Sequence, residues 1–335
     1  MKKEQSIYAS TFTWSRDSHG LFDYESSHIS KKLFKITENS KIVRAGNETH
    51  IQAHNSELAN SSLLLSVNPI RYHAVINSAE QESLWLALRN YKSSSQPKTY
   101  TLKENDIIKL GRLKFRVCSL NNDLIEPITQ EAINPENTEN VCRICLCDTN
   151  EPNNPLISPC MCSGTMKYIH VLCLQKWISS KLSTKEGENS VIYCWKSMDC
   201  ELCKQPFPTK VKSGRKTYEI FIAEGITTPY IVLEAMNKDH NSHRYLYLVS
   251  FMNKCIAVLG RGHDSDVRIS DISVSRSHAS IKYEGGNFLL EDNISKFGTL
   301  VKLEESYKLS YESELMLQVG RTLVEFSNKK RNLND

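Results

Sequence analysis

Residues 142–203 read CRICLCDTNEPNNPLISPCMCSGTMKYIHVLCLQKWISSKLSTKEGENSVIYCWKSMDCELC, and the order of cysteine and histidine in them decides the fold of the middle of the chain. Four short pairs appear: CRIC, then PCMC, then a His and a Cys two residues apart, then CELC. Fourteen residues separate Cys145 from Cys160, seven separate Cys162 from His170, and twenty-six separate Cys173 from Cys200. Two thiolates on a tight knuckle occupy adjacent corners of a tetrahedron, so four pairs supply two closed zinc sites. Closed sites are structural, because a catalytic zinc keeps one position open for water. The expected ligands are Cys142, Cys145, Cys160, Cys162, His170, Cys173, Cys200 and Cys203. Cys147 and Cys194 compete, but CELC has the favoured two-residue spacing.

This order and spacing resemble the RING-CH family of ubiquitin ligases, with the closest likeness over PLISPCMCSGTMKYIHVLCLQKWI and again at CELCK. The resemblance implies a cross-brace, in which one zinc takes Cys142, Cys145, His170 and Cys173. The other zinc would take Cys160, Cys162, Cys200 and Cys203. It also implies docking of a ubiquitin-conjugating enzyme on Ile144 in the first knuckle and Trp177 on a short helix, with Lys204 after the last ligand gripping enzyme and ubiquitin together. An exposed Ile–Trp patch costs solubility unless a partner covers it. A PHD finger shares the ligand order but has two residues inside its second pair and places its Trp closer to the last pair. A zinc module that only holds the fold together stands as the plain alternative for these residues.

Outward from this cluster, 335 residues are long for one compact domain. Eleven cysteines, an odd count and most of them within the cluster, argue against a disulfide framework in a reducing compartment. The net charge of +4 gives no case for nucleic-acid binding. No run approaches the roughly 18 apolar residues that span a bilayer, and MKKEQSIYAS has no apolar core of a secretory signal. A soluble protein of cytoplasm or nucleus, without membrane insertion, is expected. Residues 1–60, rich in Ser, Asn, His and Lys, read as mostly disordered. Residues 61–120 read as β-rich, 121–140 as a polar linker, 141–208 as the zinc module, and 209–226 as a basic connector. Residues 227–330, with alternating apolar runs between turns, read as an all-β sandwich. TLKENDIIKLGRLKFRV (101–117) and KLSYESELMLQVGRTLVEF (308–326) each place a Gly-Arg turn between strands. They are either an internal repeat or two unrelated hairpins.

Within the last segment, LGRGHDSDVRISDISVSRSHASIKYEGGNFLLEDNISKFGT (259–299) resembles the forkhead-associated (FHA) family, which implies a sandwich whose end loops bind phosphothreonine. A phosphate dianion needs fixed donors, and the arginine fork supplies them with a permanent charge. Arg261, presented by a turn at Gly260, is the expected principal donor; Ser275 adds a hydroxyl, and Arg276 reaches phosphate or peptide backbone. The resemblance assigns His278 to bracing the loops, and Asp292, Gly298 and Thr299 match a further family signature. Phe297 stands where the family commonly has Asn, which weakens the grip on a peptide backbone; Lys296 offers a compensating charge. If the hairpin repeat is real, the N-terminal region is a degenerate FHA-like unit that binds no phosphopeptide.

The reading is a multidomain chain: a cross-braced two-zinc module, then an FHA sandwich, after a β-rich N-terminal region. Such a chain would act as a RING-type ubiquitin ligase without a covalent intermediate. Its cofactors would be two Zn2+, and its partners a ubiquitin-conjugating enzyme, ubiquitin and threonine-phosphorylated proteins, with no nucleic acid. The alternative is a non-catalytic phosphothreonine-dependent adaptor or scaffold.

Overall fold

The computed structural model describes residues 7–53, 58–70, 73–79, 83–91, 98–121, 131–132, 140–195, 199–208, 210–214, 216–220, 228–236, 244–303, 306–310 and 313–327. The expectation of disorder over residues 1–60 is corrected, because four strands run through them. β1 (Ile7–Trp14) and β2 (Ile29–Ile36) pair antiparallel, Ile7 opposite Ile36. β3 (Ser40–Ala45) and β4 (Glu48–Ala53) form a hairpin closed by Gly46 and Asn47. Polar side chains disguise these strands. Thr11 bonds Thr49 at 2.5 Å and Thr13 bonds Thr322 at 3.0 Å, so buried hydroxyls satisfy one another. Further on come β5 (Ser62–Pro69), β6 (His73–Ser78), β7 (Trp85–Ala87), β8 (Tyr100–Thr101), β9 (Ile107–Leu110) and β10 (Leu113–Asn121).

The chain divides into two compact units, Met1–Val117 with Cys255–Asp335, and Cys118–Lys254. The second contains the zinc module. Of the expected linker, 121–140, the described residues are Asn121 at the end of β10, Asn140 and β11 (Glu131–Ala132). β12 (Leu156–Ile157) and β13 (Ile169–His170) pair antiparallel and lead into α1 (Val171–Lys181). Val171, Leu174 and Ile178 recur at helical spacing and are buried with Leu156, Ile157 and Ile169. The long interval between Cys173 and Cys200 then forms a hairpin, β14 (Ser183–Glu186) and β15 (Ser190–Trp195). The basic connector is a hairpin as well, β16 (Lys210–Ser213) and β17 (Lys216–Glu219), which turns Val211 into the apolar cluster of the module. β18 (Tyr230–Ala235) and β19 (Arg244–Ser250) pair with each other, and β19 also pairs with β15, Cys194 opposite Tyr245. These strands, at the start of the segment expected as a sandwich (227–330), fall within Cys118–Lys254, and they share a sheet with the hairpin inserted before Cys200.

The other unit ends with β20 (Ile256–Gly260), β21 (Val267–Arg268), β22 (Ala279–Glu284), β23 (Asn287–Asp292), β24 (Thr299–Lys302), β25 (Ser306–Ser310), β26 (Leu315–Val319) and β27 (Thr322–Ser327). One five-stranded sheet runs β25-β6-β5-β3-β4 and another β8-β23-β22-β20-β21. Their orders correspond, although the edge pair is antiparallel in β3–β4 and parallel in β20–β21, so the repeat extends beyond the two Gly-Arg hairpins. Up to β7 and β24 each repeat keeps its own strands; after that point they trade. β7 and β24 lie side by side, Leu86 opposite Val301. β9 of the first repeat pairs with β24 of the second, while β26 of the second pairs with β7 of the first. β27 continues onto β1, Phe12 opposite Leu323. The arrangement is a hairpin exchange within one chain, the intramolecular form of a domain swap. Leu315, Leu317, Val319, Val324 and Phe326 of the second repeat consequently fill the core of the first, against Ile7, Ile42, Leu64, Leu65 and Ile76.

Candidate functional site

The two expected ligand groups come together in the zinc module. The ligand atoms of Cys142, Cys145, His170 and Cys173 lie within 4.8 Å of one another, and so do those of Cys160, Cys162, Cys200 and Cys203. The first and last pairs sit on two knuckles of the same geometry. The N–H of Cys142 donates to the carbonyl of Cys147 and that of Leu146 to the carbonyl of Cys142, at 2.9 and 2.8 Å. The N–H groups of Cys200 and Lys204 repeat this on Gln205 and Cys200, at 2.8 and 2.9 Å. Leu146 and Lys204 take positive φ, 62° and 61°, a conformation non-glycine residues rarely adopt and here required by both knuckles.

His170 donates from Nε2 to the carbonyl of Thr149, which leaves the Nδ1 lone pair free, 3.2 Å from the Cys145 sulfur. Donor type, number and grouping suit two zinc ions in closed sites. Cys147 and Cys194 lie in neither group.

Arg143 was not singled out in the sequence, and it links the two groups. It sits between ligands of the first, while its guanidinium donates to Cys162 at 3.5 Å and Cys200 at 3.3 Å of the second. Burial pushes the Cys200 thiol up, but the Cys203 N–H and the Arg143 guanidinium outweigh it and bring the value down to about 6. A basic residue inside CRIC was the available signal. Ile144 and Lys204 are exposed on the two knuckles; Trp177 is half-buried on α1, edge-on to Phe207 at 5.6 Å.

In the other unit, the loop ends of the second repeat gather Arg261, Ser275, Arg276 and Lys296. The N–H of Arg261 donates to the Ser275 carbonyl and its Nε to that of Val274, at 2.9 and 3.3 Å. The Lys296 N–H donates to the Ser275 hydroxyl at 3.0 Å, tying the loop after β23 to the loop before β22. Arg261 and Arg276 line a cavity of about 820 Å3 with His263, Arg268 and Asp271, within the range of small-ligand sites. Gly260 is needed for a different reason than a turn: a Cβ there would meet the Arg276 carbonyl oxygen at 2.1 Å.

His278 is fully buried, accepting at Nδ1 from the Ser275 N–H and donating from Nε2 to the Gly298 carbonyl. Burial lowers its pKa and keeps it neutral, as a loop brace requires. Asp292 accepts from the hydroxyls of Ser295 and Thr299. Lys296 is shared: its Nζ lies 3.4 Å from the Asp23 carboxylate. Phe297 packs toward Trp14, ring centres 6.2 Å apart. Ile272 and Ile294 are 85% and 79% exposed, and Ile272 lines the cavity; sequence reading passed over both, since single apolar residues in polar loops carry no periodic signal.

Comparison with known proteins agrees with both sites. Residues 142–203 match the RING-variant domain family and residues 257–320 the FHA domain family. The E3 ubiquitin-protein ligase MARCHF1 of Homo sapiens is 42% identical over 81 residues, 24% of this chain and 23% of its own length. The E3 ubiquitin-protein ligase MARCHF8 of Bos taurus is 36% identical over 94 residues, 28% of this chain and 27% of its own. The probable E3 ubiquitin-protein ligase MARCHF10 of Homo sapiens is 35% identical over 79 residues, 23% and 9%. The chain thus spans about a quarter or less of the length of these relatives. No solved structure matches it. Among the described residues no helix is long and apolar enough to cross a membrane.

Proposed function

We propose that a chain combining a RING-variant domain with an FHA domain acts as a ubiquitin ligase that selects threonine-phosphorylated proteins. The observation that carries the ligase half is the pair of four-ligand groups on matched knuckles, in the segment shared with relatives named E3 ubiquitin-protein ligases. Zinc would supply rigidity alone, holding the knuckles so that Ile144 and Lys204 stand out at fixed positions. Ile144 and Trp177 would receive the conjugating enzyme, and Lys204 would restrain the ubiquitin it carries. The gain is proximity and orientation: the thioester is presented for attack by a substrate amine without passing through this chain. Phosphate would meet Arg261 and Arg276, with the Ser275 hydroxyl proton still free to donate. Ile272, exposed on the cavity wall, would favour an apolar residue beside the phosphothreonine.

The test is ubiquitin transfer by the full chain with activating enzyme, ATP and a panel of conjugating enzymes. Self-modification lost in Ile144→Ala and Trp177→Ala is expected. Inactivity of the wild type across the panel would leave a phospho-dependent adaptor.

A further inference from the structure

We propose that Arg112, on the hairpin the first repeat has exchanged, is a positioning residue for the phosphate-reading loop of the second repeat, a role that rests on the phosphothreonine reading above.

The contact is built on both backbone and charge. Arg112 follows Gly111 in the turn between β9 and β10. Its N–H donates to the Ser273 hydroxyl at 3.0 Å, and its Nε donates to the Asp271 carboxylate at 2.8 Å. Gly111 has φ 58°, and a Cβ on it would meet the Ser273 hydroxyl oxygen at 2.4 Å, so the turn is fitted to this loop. Asp271 in turn accepts from the Ser273 N–H and hydroxyl, at 2.8 and 2.7 Å, which closes the loop on itself. The next residue, Val274, offers the carbonyl that holds the Arg261 guanidinium. Arg112 is therefore two links from the arginine expected to grip phosphate. Asp271 also lines the cavity, where an unneutralised carboxylate would repel a dianion.

The homologous turn is used differently. Arg321, after Gly320 in the hairpin between β26 and β27, spends its guanidinium on the carbonyls of Trp14 and Gly46 and on Asn47. No carboxylate is among these partners, and the turn they hold has two residues, too short for a loop such as 261–266. Of the two Gly-Arg turns, the one at Arg112 thus meets the loop that carries the candidate phosphate arginine's support, and that loop is held by the other repeat. Arg89 and Tyr24 add to the support: Arg89 donates to the Ser295 carbonyl, and Gly298, without a Cβ, leaves room for the Tyr24 ring.

The experiment uses the full chain and calorimetry against a threonine-phosphorylated peptide, the strongest binder from a degenerate library. Arg261→Ala should abolish binding. Arg112→Ala should weaken it by about tenfold, and Arg112→Lys, which keeps the charge but loses the directed Nε bond, by about threefold. In an Asp271→Ala background either Arg112 change should cost nothing further, which a general loss of stability would not produce. If Arg112→Ala does not fold, Arg112→Lys alone completes the cycle. The proposal is overturned if both Arg112 variants bind as wild type while Arg261→Ala does not, or if the losses at Arg112 and Asp271 simply multiply. Equal binding of plain and phosphorylated peptide, or indifference to Arg261→Ala, would instead remove the phosphothreonine reading beneath it.

Discussion

The zinc module and the paired sandwiches solve the same problem, holding loops rigid at a surface, by opposite means. The module has a small apolar cluster around α1, and two groups of four ligands, suited to two zinc ions, stand beside it. The sandwiches close over very long sequence distances, with β27 beside β1 and the second repeat's side chains packed inside the first. The expected contrast is that folding of the module responds to metal, whereas folding of the sandwiches responds to packing.

Removing zinc gives the largest expected effect. Ligation free energy in small zinc domains is about 10–16 kcal/mol and serves as folding free energy. Chelation should release two zinc ions per chain and abolish amide protection over residues 141–208, while strands β20 to β27 keep theirs. Hydrogen exchange read by mass spectrometry checks this; loss of protection in both units together would erase the contrast. Cys194→Ser should leave the zinc count at two.

Next in size is Phe326→Ala. The ring is fully buried in the first repeat's core, and such truncations cost about 3–5 kcal/mol. The change lies near the C-terminus, yet exchange should accelerate in β3 and β5. Acceleration confined to β20–β23 would mean the hairpins are not traded.

Trp177→Ala should be smaller in binding terms, about 2 kcal/mol or more at a central aromatic anchor, but should abolish measurable ubiquitin transfer. Zinc content should stay at two, which separates docking from folding.

The smallest effect is one of pH. Burial raises the Asp271 pKa, but the Ser273 bonds and the Arg112 charge outweigh it, so the folded value lies below the ordinary range. Its contribution is fully present above the unfolded value of about 3.9 and is lost as pH falls through the lower folded value. The wild type should therefore lose slightly more stability than Asp271→Asn between pH 5 and the acid limit of about 3, measured by urea unfolding.

Legibility in the sequence followed the same divide. Zinc ligands are few, chemically distinctive and spaced by local geometry, so every one of the eight was readable. The exchange was not. Both hairpins carry the same alternation around a Gly-Arg turn, and alternation specifies which face is buried without naming the sheet that receives it. The N-terminal strands were missed because Thr11, Thr13 and Thr49 are buried yet polar, their hydroxyls paired where an apolar residue would have signalled a core. The loop face was partly legible: Arg261, Ser275 and Arg276 stand where expected, but Arg112, 159 residues from its partner Asp271, carried no local sign.

The pairing of β27 with β1 has a consequence in time. Thr13 and Thr322 bond across 309 residues of chain. At a synthesis rate of about 5–20 residues per second, the strands that complete the first core emerge on the order of 15–60 seconds after the strands they cover. For that interval Leu64, Leu65 and Ile76 have only their own repeat's hairpin within reach. A nascent chain therefore first closes each sandwich on itself or waits uncovered. The mature arrangement is settled only when the last hairpin leaves the ribosome.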